Sequence, residues 1–300
     1  MGMEPGVADA MSAWPPRAAS GEGAARLAPH FAGRFSSAWV RGFVLKDLFS
    51  IEGKTALVTG GSSGIGAMIA RGYVEAGARV YIASRKKDVC EEVAAELSEL
   101  GTCIALPADL QQESDCIRLA DEISEREGKL EILVNNAGAN WGEPIETFPD
   151  AAWDRVLGLN VKAVFNLTRR LIPTLSAAGK PGDPARVINI GSIDGLKPPV
   201  LDTFAYSASK AAIHHMSRVL AAKLAPKNIT VNAVAPGPFQ SKMMKATLEQ
   251  FGESIANTNP LRRIGEPEDM AGIAIYLASR AGAYVTGAVI PVDGGVSTTT

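Results

Sequence analysis

Cysteine is scarce in this chain, 3 of 300 residues. Cys90, Cys103 and Cys116 form no C-x-x-C pair, which excludes a zinc ribbon, a thioredoxin-like redox pair and a disulfide scaffold. So sparse and odd a set suits inert thiols in a reducing compartment, the cytoplasm. Histidine is equally scarce, and neither His214 nor His215 has a partner at metal spacing, so no metal is expected. No run of eighteen apolar residues occurs. The richest stretch, Ile273 to Val292, is broken by Arg280 and several glycines, so no membrane span is expected. An excess of one charge is also missing. Lys plus Arg number 30 against 32 Asp plus Glu, which gives no general attraction to nucleic acid or to an anionic membrane. Gly and Pro, 30 and 18 residues, stay below the share of a low-complexity chain. What is present is 46% hydrophobic and 21% charged, ample for a globular core.

Residues 1–48 differ from the rest. They carry Pro5, Pro15, Pro16 and Pro29 and sustain neither a period of 2 nor one of 3.6. Between Ala10 and Lys46 lie Arg17, Arg26, Arg34, Arg41 and Lys46 against the single acid Glu22. An Arg-rich, acid-poor leader is the composition of a transit segment, which would direct the chain to a mitochondrion or another organelle. A disordered leader, or residues added by an upstream start, is the other reading. The folded unit is expected over 49–300.

From Ile51 onward strands and helices alternate. The pattern predicts seven strands: 54–59, 79–83, 102–106, 132–135, 186–190, 229–233 and 289–292. Helices are predicted over 65–76, 88–100, 113–127, 153–175, 203–224 and 269–277. Strands separated by helices imply right-handed crossovers: an α/β fold with one doubly wound, seven-stranded parallel sheet covered by helices on both faces.

The first strand runs into Thr59-Gly60-Gly61-Ser62-Ser63-Gly64-Ile65-Gly66 and then a helix. Glycines there permit a tight turn in which backbone N–H groups at a helix N-terminus hold a pyrophosphate. No Lys-Ser or Lys-Thr follows, which excludes a Walker A loop. At the end of the second strand an NAD-type site needs a carboxylate for the ribose 2′-hydroxyl. Ser84 and Arg85 stand there instead, followed by Lys86 and Lys87. A guanidinium can hold a 2′-phosphate bidentately, which points to NADP(H).

Tyr206 and Lys210 are four apart on a predicted helix and share a face. A phenol is a poor base at neutral pH, and a neighbouring ammonium is expected to lower its pKa. Ser192 follows the strand R-V-I-N-I at the carboxyl edge of the sheet, where its hydroxyl can polarise a carbonyl oxygen.

Taken together these motifs resemble the short-chain dehydrogenase/reductase family over roughly residues 51–297, closest to its rhamnolipid-type 3-oxoacyl reductases. T-G-G-S-S-G-I-G matches the family's cofactor loop, Asp109-Leu110 the pair at adenine, and Asn135-Asn136-Ala137-Gly138 the signature after the fourth strand. Asn160, Ser192, Tyr206 and Lys210 match the catalytic tetrad, Pro236-Gly237 the turn at the nicotinamide, and Asp293-Gly294-Gly295 the end of the last strand. The resemblance implies a Rossmann-type NADPH-dependent carbonyl reductase or alcohol dehydrogenase. Tyr206 is its acid and base, Lys210 binds the nicotinamide ribose, Ser192 orients the carbonyl, and Asn160 holds a water of the proton relay. Ser241 replaces the family's threonine near the carboxamide, and Phe239 is bulkier than the usual aliphatic residue.

The substrate is expected to be a small-molecule carbonyl or alcohol, a 3-oxoacyl compound or a sugar, polyol, steroid or xenobiotic. Its pocket is expected from Ala139-Asn140-Trp141, Ile193, Asp194 and 239–257, with Met243, Met244, Leu248 and Phe251 as a lid or as plain helix packing. His214 and His215 read as packing or interface residues. The family's habit implies a tetramer or dimer pairing helices 153–175 and 203–224. A non-catalytic NADP-binding sensor of the same fold is the alternative, and a structural or RNA-binding role is disfavoured by the even charge. Arg85→Asp is expected to abolish a preference for NADPH over NADH of roughly ten- to hundredfold. The Michaelis constants for the two cofactors, measured in both proteins, check this.

Overall fold

The computed structural model describes residues 44–241 and 244–299, with the side chains of Lys245 and Ala246 left out. The leader expected over 1–48 lies outside them up to residue 43. From there Leu45–Leu48 makes one helical turn.

Seven strands follow: β1 Thr55–Thr59, β2 Arg79–Ala83, β3 Cys103–Ala105, β4 Ile132–Asn135, β5 Ala185–Ile190, β6 Ile229–Pro236 and β7 Val289–Val292. All pair in parallel, in the order β3-β2-β1-β4-β5-β6-β7. The helices are α1 Gly64–Glu75, α2 Lys87–Ser98, α3 Glu113–Glu127, α4 Asp150–Leu157, α5 Val164–Ala178, α6 Phe204–Leu224, α7 Lys245–Thr258 and α8 Pro267–Ala278. The doubly wound expectation is met. The helix expected over 153–175 is instead α4 and α5 joined through the π-helical turn Gly158–Ala163, so the register slips by a residue in mid-course. Helix α7 falls in the segment read as lid or helix packing, and β6 runs three residues further than expected.

Each strand from β1 to β6 apart from β3 is buried nearly end to end, as a sheet covered on both faces requires. Alternation along the strands divides the core. Leu57, Leu133 and Val187 point to one face and meet Leu119 and Ile123 of α3 and Leu167, Leu171 and Leu175 of α5. Ala56, Val58, Ile132, Val134 and Ile188 point to the other and meet Ile69, Tyr73 and Val74 of α1 and Met270, Ala274 and Leu277 of α8. The strand order reverses between β1 and β4, so the loops after these two strands part and leave a crevice at the carboxyl edge of the sheet.

At the opposite edge a cation is buried. Arg186, the second residue of β5, is 1% exposed, and its guanidinium donates to the carbonyls of Leu277 and Ser279 at the C-terminal end of α8. It also pairs with Asp183 at 3.0 Å, which Lys54 shares at 3.0 Å. This clamp ties the sheet to α8 by satisfying terminal carbonyls that the helix leaves open. Arg186→Met is expected to destabilise the protein by roughly 2–4 kcal/mol, because two buried acceptors lose their donor. Denaturant midpoints at unchanged slope measure it.

Candidate active site

The loop after β1 is drawn tight by its neighbours. Gly60 N–H donates to the Ala83 carbonyl at 2.6 Å, and Gly60 and Gly64 hold φ of +65° and +55°. Gly66 packs so closely on the Gly60 carbonyl and the Asn136 amide that a side chain at that position would overlap both. Helix α1 begins at Gly64 with Ser63 at its N-cap, and no side chain caps its first amides. Those amides, with Ser62, Ser63 and Ile65 around them, remain available to an anion.

Thr59 knots this loop to the one after β4. Its hydroxyl donates to the Val134 carbonyl and accepts from the N–H groups of Asn136 and Ala137 at 2.9 and 3.1 Å. The Asn136 side chain closes the knot by donating to the carbonyls of Thr59 and Gly60. Its amide therefore holds the two loops together rather than reaching outward.

At the end of β2 the Ser84 hydroxyl is buried without a hydrogen-bond partner. Beside it Arg85 is exposed and makes no ion pair among the described residues, whereas Lys87 lies 3.9 Å from Glu91. An orphaned hydroxyl next to an unengaged guanidinium is a set of donors suited to an anionic group. Asp109 and Leu110 follow β3, where Asp109 N–H is taken by the Asp115 carboxylate at 2.6 Å and Leu110 is buried.

Helix α6 brings the tetrad together. Lys210, 5% exposed, donates from Nζ to the Ile190 carbonyl at 2.8 Å and lies 5.3 Å from the centre of the Tyr206 ring. Burial lowers its pKa to about 8. Ser192 follows β5 after Gly191, accepts from Asp194 N–H at 3.1 Å, and hydrogen-bonds to the Tyr206 phenol. The phenol does not show the lowered pKa expected from its lysine. Burial pushes it up to about 12, against the pull of Ser192, because the ammonium is directed at a carbonyl and the negative field of Asp194 opposes ionisation. Asn160, at 2% exposure in the π-helical turn, accepts from Ala139 N–H at 2.8 Å and donates to the Ala139 carbonyl and to Ser209 Oγ. Ser209 in turn donates to the Tyr206 carbonyl, so it links Asn160 to α6. Gly138 closes over this group, since a Cβ there would lie 3.3 Å from Asn160 Oδ1 and 3.8 Å from Lys210 Nζ.

Pro236 ends β6, Gly237 after it packs on Asp293, and Ser241 packs against Gly64. Phe239 is 2% exposed with its ring laid flat on Gly265, so its extra bulk is absorbed by the core and its side chain is not in the crevice. Of the lid expected over 239–257, Met243 lies outside the described residues, Leu248 is half-buried on α7 and Phe251 is exposed. A cavity of about 610 Å³ is lined by Pro238, Phe239, Asn259, Leu261, Asp293 and Thr298, and not by the tetrad. Trp141 stacks under Arg155 at 5.7 Å, and its loop meets the next through Glu143 N–H and the Asp202 carbonyl.

The enoyl-(acyl carrier protein) reductase family profile matches residues 60–297. The rhamnolipids biosynthesis 3-oxoacyl-[acyl-carrier-protein] reductase of Pseudomonas aeruginosa is 48% identical over 249 residues, 82% of this chain and 97% of that protein. The 7alpha-hydroxysteroid dehydrogenase of Escherichia coli K12 is 33% identical over 251 residues, 83% of this chain and 96% of its own. Among solved structures, the Pseudomonas aeruginosa RhlG/NADP active-site complex superposes with a TM-score of 0.81 at 47% identity, covering 84% of this chain and 99% of that one. The chain belongs to the short-chain dehydrogenase/reductase family. As a member it is an oxidoreductase of CH–OH and C=O groups.

One residue beside the tetrad escaped the motifs, Ser209, an unremarked serine between Tyr206 and Lys210. His214, one turn past Lys210 and read as a packing or interface residue, is 3% exposed, and neither ring nitrogen has a hydrogen-bond partner. Its ring lies against Gly191 and Gly195, the glycines on either side of Ser192 and Asp194. Burial lowers its pKa to about 4. Between pH 6.5 and 4 the unfolded chain therefore takes a proton that the folded protein refuses, and stability falls with pH across that window. His214→Leu is expected to remove about 2 kcal/mol of this acid sensitivity, read as the difference between the two proteins' unfolding free energies at pH 7 and pH 4.5.

Proposed function

We propose that this member of the family reduces a carbonyl with NADPH, and that the unit from about residue 49 carries both cofactor binding and catalysis. The observation that carries the reading is the convergence of Tyr206, Ser192, Lys210 and Asn160 on one point of the carboxyl edge, beside the crevice between β1 and β4. The RhlG/NADP complex supports the cofactor, and the orphaned Ser84 hydroxyl with the unengaged Arg85 fits its 2′-phosphate.

In this reading Gly60, Ser62, Ser63, Gly64, Ile65 and Gly66 hold the pyrophosphate. Asp109 and Leu110 flank the adenine, while Asn136, Ala137 and Gly138 form the crevice wall. Lys210 and Tyr206 hold the ribose near the nicotinamide, with Pro236, Gly237 and Ser241 at the carboxamide and Phe239 serving only through its backbone. NADPH, when bound, supplies the hydride to the carbonyl carbon.

The chain's own part is the proton. A phenol held near pKa 12 stays protonated at neutral pH, which suits it to donate to the carbonyl oxygen as general acid. Ser192 polarises that oxygen and is the neighbour that eases ionisation of the phenol, while the Lys210 ammonium stays on the Ile190 carbonyl. Both ends of the Asn160 amide are occupied in holding the Ala139 loop, so its side chain positions that loop.

The 48% identical relative favours a 3-oxoacyl substrate. Exposed Ile145, Leu196, Val200 and Leu201 on the two loops beside Trp141 give the site an apolar rim that fits such a chain. Free, buried cysteines support a cytoplasmic setting, and among the described residues no helix is long and apolar enough to cross a membrane. Exposed Phe165 on α5 and Val219 on α6 support a homo-oligomer, a tetramer or dimer, built on those helices. Tyr206→Phe is expected to lower kcat by at least a thousandfold while NADPH still binds. NADPH oxidation against 3-oxoacyl esters, diketones, quinones and sugars, paired with a cofactor titration, tests this. Turnover retained in the variant, or NADPH binding with no substrate in the panel reduced, overturns the reading.

A further inference from the structure

The turn Ile193–Gly195 places an unengaged carboxylate at the edge of the tetrad. The Asp194 N–H already donates to Ser192 Oγ, so the turn does not need the side chain. Among the described residues no hydrogen bond or ion pair reaches that carboxylate, although the residue is half-buried. It cannot lie far from the reacting groups. The next residue, Gly195, packs on the backbone of α6, where a Cβ would lie 2.6 Å from the Lys210 carbonyl carbon and 2.7 Å from Ala211 N. Lys210 and Tyr206 both feel its charge, and Lys210 is itself committed to the Ile190 carbonyl.

A half-buried carboxylate with no protein donor keeps its accepting capacity for solvent or for a ligand, and a ligand that brings a donor into this partly desolvated spot gains a charge-assisted hydrogen bond. The rim around it is apolar, with Leu196 at 42% and Val200 fully exposed on the same connection. A site of this composition takes a ligand with an apolar body and one polar hydrogen. We propose that Asp194 is a specificity-determining residue, which selects carbonyl substrates carrying an O–H or N–H donor near the carbonyl. This rests on the reductase reading and refines its substrate. The donor can be a hydroxyl beside a ketone or the amide N–H of a pantetheine-like thioester arm.

Dissociation constants measured calorimetrically on the protein saturated with NADP⁺ test it, using two matched pairs. One pair is 1-hydroxyoctan-2-one and octan-2-one. The other is the N-acetylcysteamine and S-ethyl thioesters of 3-oxooctanoate. The wild type should bind the donor-bearing member of at least one pair roughly ten- to hundredfold more tightly, and the responding pair identifies the donor. Asp194→Leu should bring that ratio to about one, and Asp194→Asn, which still accepts through Oδ1, should keep part of it. Wild-type ratios near one in both pairs overturn the proposal without recourse to a variant, as does a ratio that survives Asp194→Leu. Because binding is read without turnover, this inference can fail while the reductase reading stands. NADPH oxidation with the same four compounds tests that reading separately.

Discussion

The carboxyl edge of the sheet is arranged around one buried ammonium. Lys210 Nζ has lost nearly all its water, and a charge so placed persists only where acceptors are fixed around it. The Ile190 carbonyl, left free where β5 ends, is the acceptor the fold provides, at 2.8 Å. That bond sets the height of α6 against β5. From it follow the position of Tyr206 one turn earlier, of His214 one turn later, and of the turn carrying Ser192 and Asp194 between them. The reluctance of the lysine to stay charged and that of the phenol to ionise have the same cause, the exclusion of water from this corner.

The other half of the crevice is held by neutral groups. A single threonine hydroxyl serves three backbone partners, and the Asn136 amide serves two more, so the loops after β1 and β4 move together or not at all. Around these two loops, the first amides of α1, the Ser84 hydroxyl and the Arg85 guanidinium are the groups that the described residues leave for a ligand. A site preorganised in this way needs little rearrangement on binding.

The strand pattern was plain in the sequence because nearly every strand is a short β-branched run followed by a helix, and burial on both faces leaves such runs little alternative. β6 runs on past residue 233 through Val234 and Ala235 to Pro236, which as the last residue costs the sheet nothing by its missing N–H. The helix through 245–258 has no cap signal, and its apolar residues are only partly buried, so no clean stripe marks it. The tetrad was legible by spacing and company. Ser209 and the role of Asp194 were not, because each depends on what lies across the fold from it. The position of Phe239 depended on Gly265, twenty-six residues away, which no local pattern reveals. The raised pKa of Tyr206 depended on burial, which spacing does not encode.

The π-helical turn has a bearing on redesign. Asn160 sits in a stretch that holds one residue more than a regular helix would, between α4 and α5. Deleting one residue of Gly158–Ala163 would let the helix close into regular turns, and Leu167, Leu171 and Leu175 would keep facing the sheet. What such trimming removes is the widened turn that aims the Asn160 amide at the Ala139 loop. The irregularity is thus a local device for presenting one asparagine, and the fifteen-residue helix after it does not depend on it.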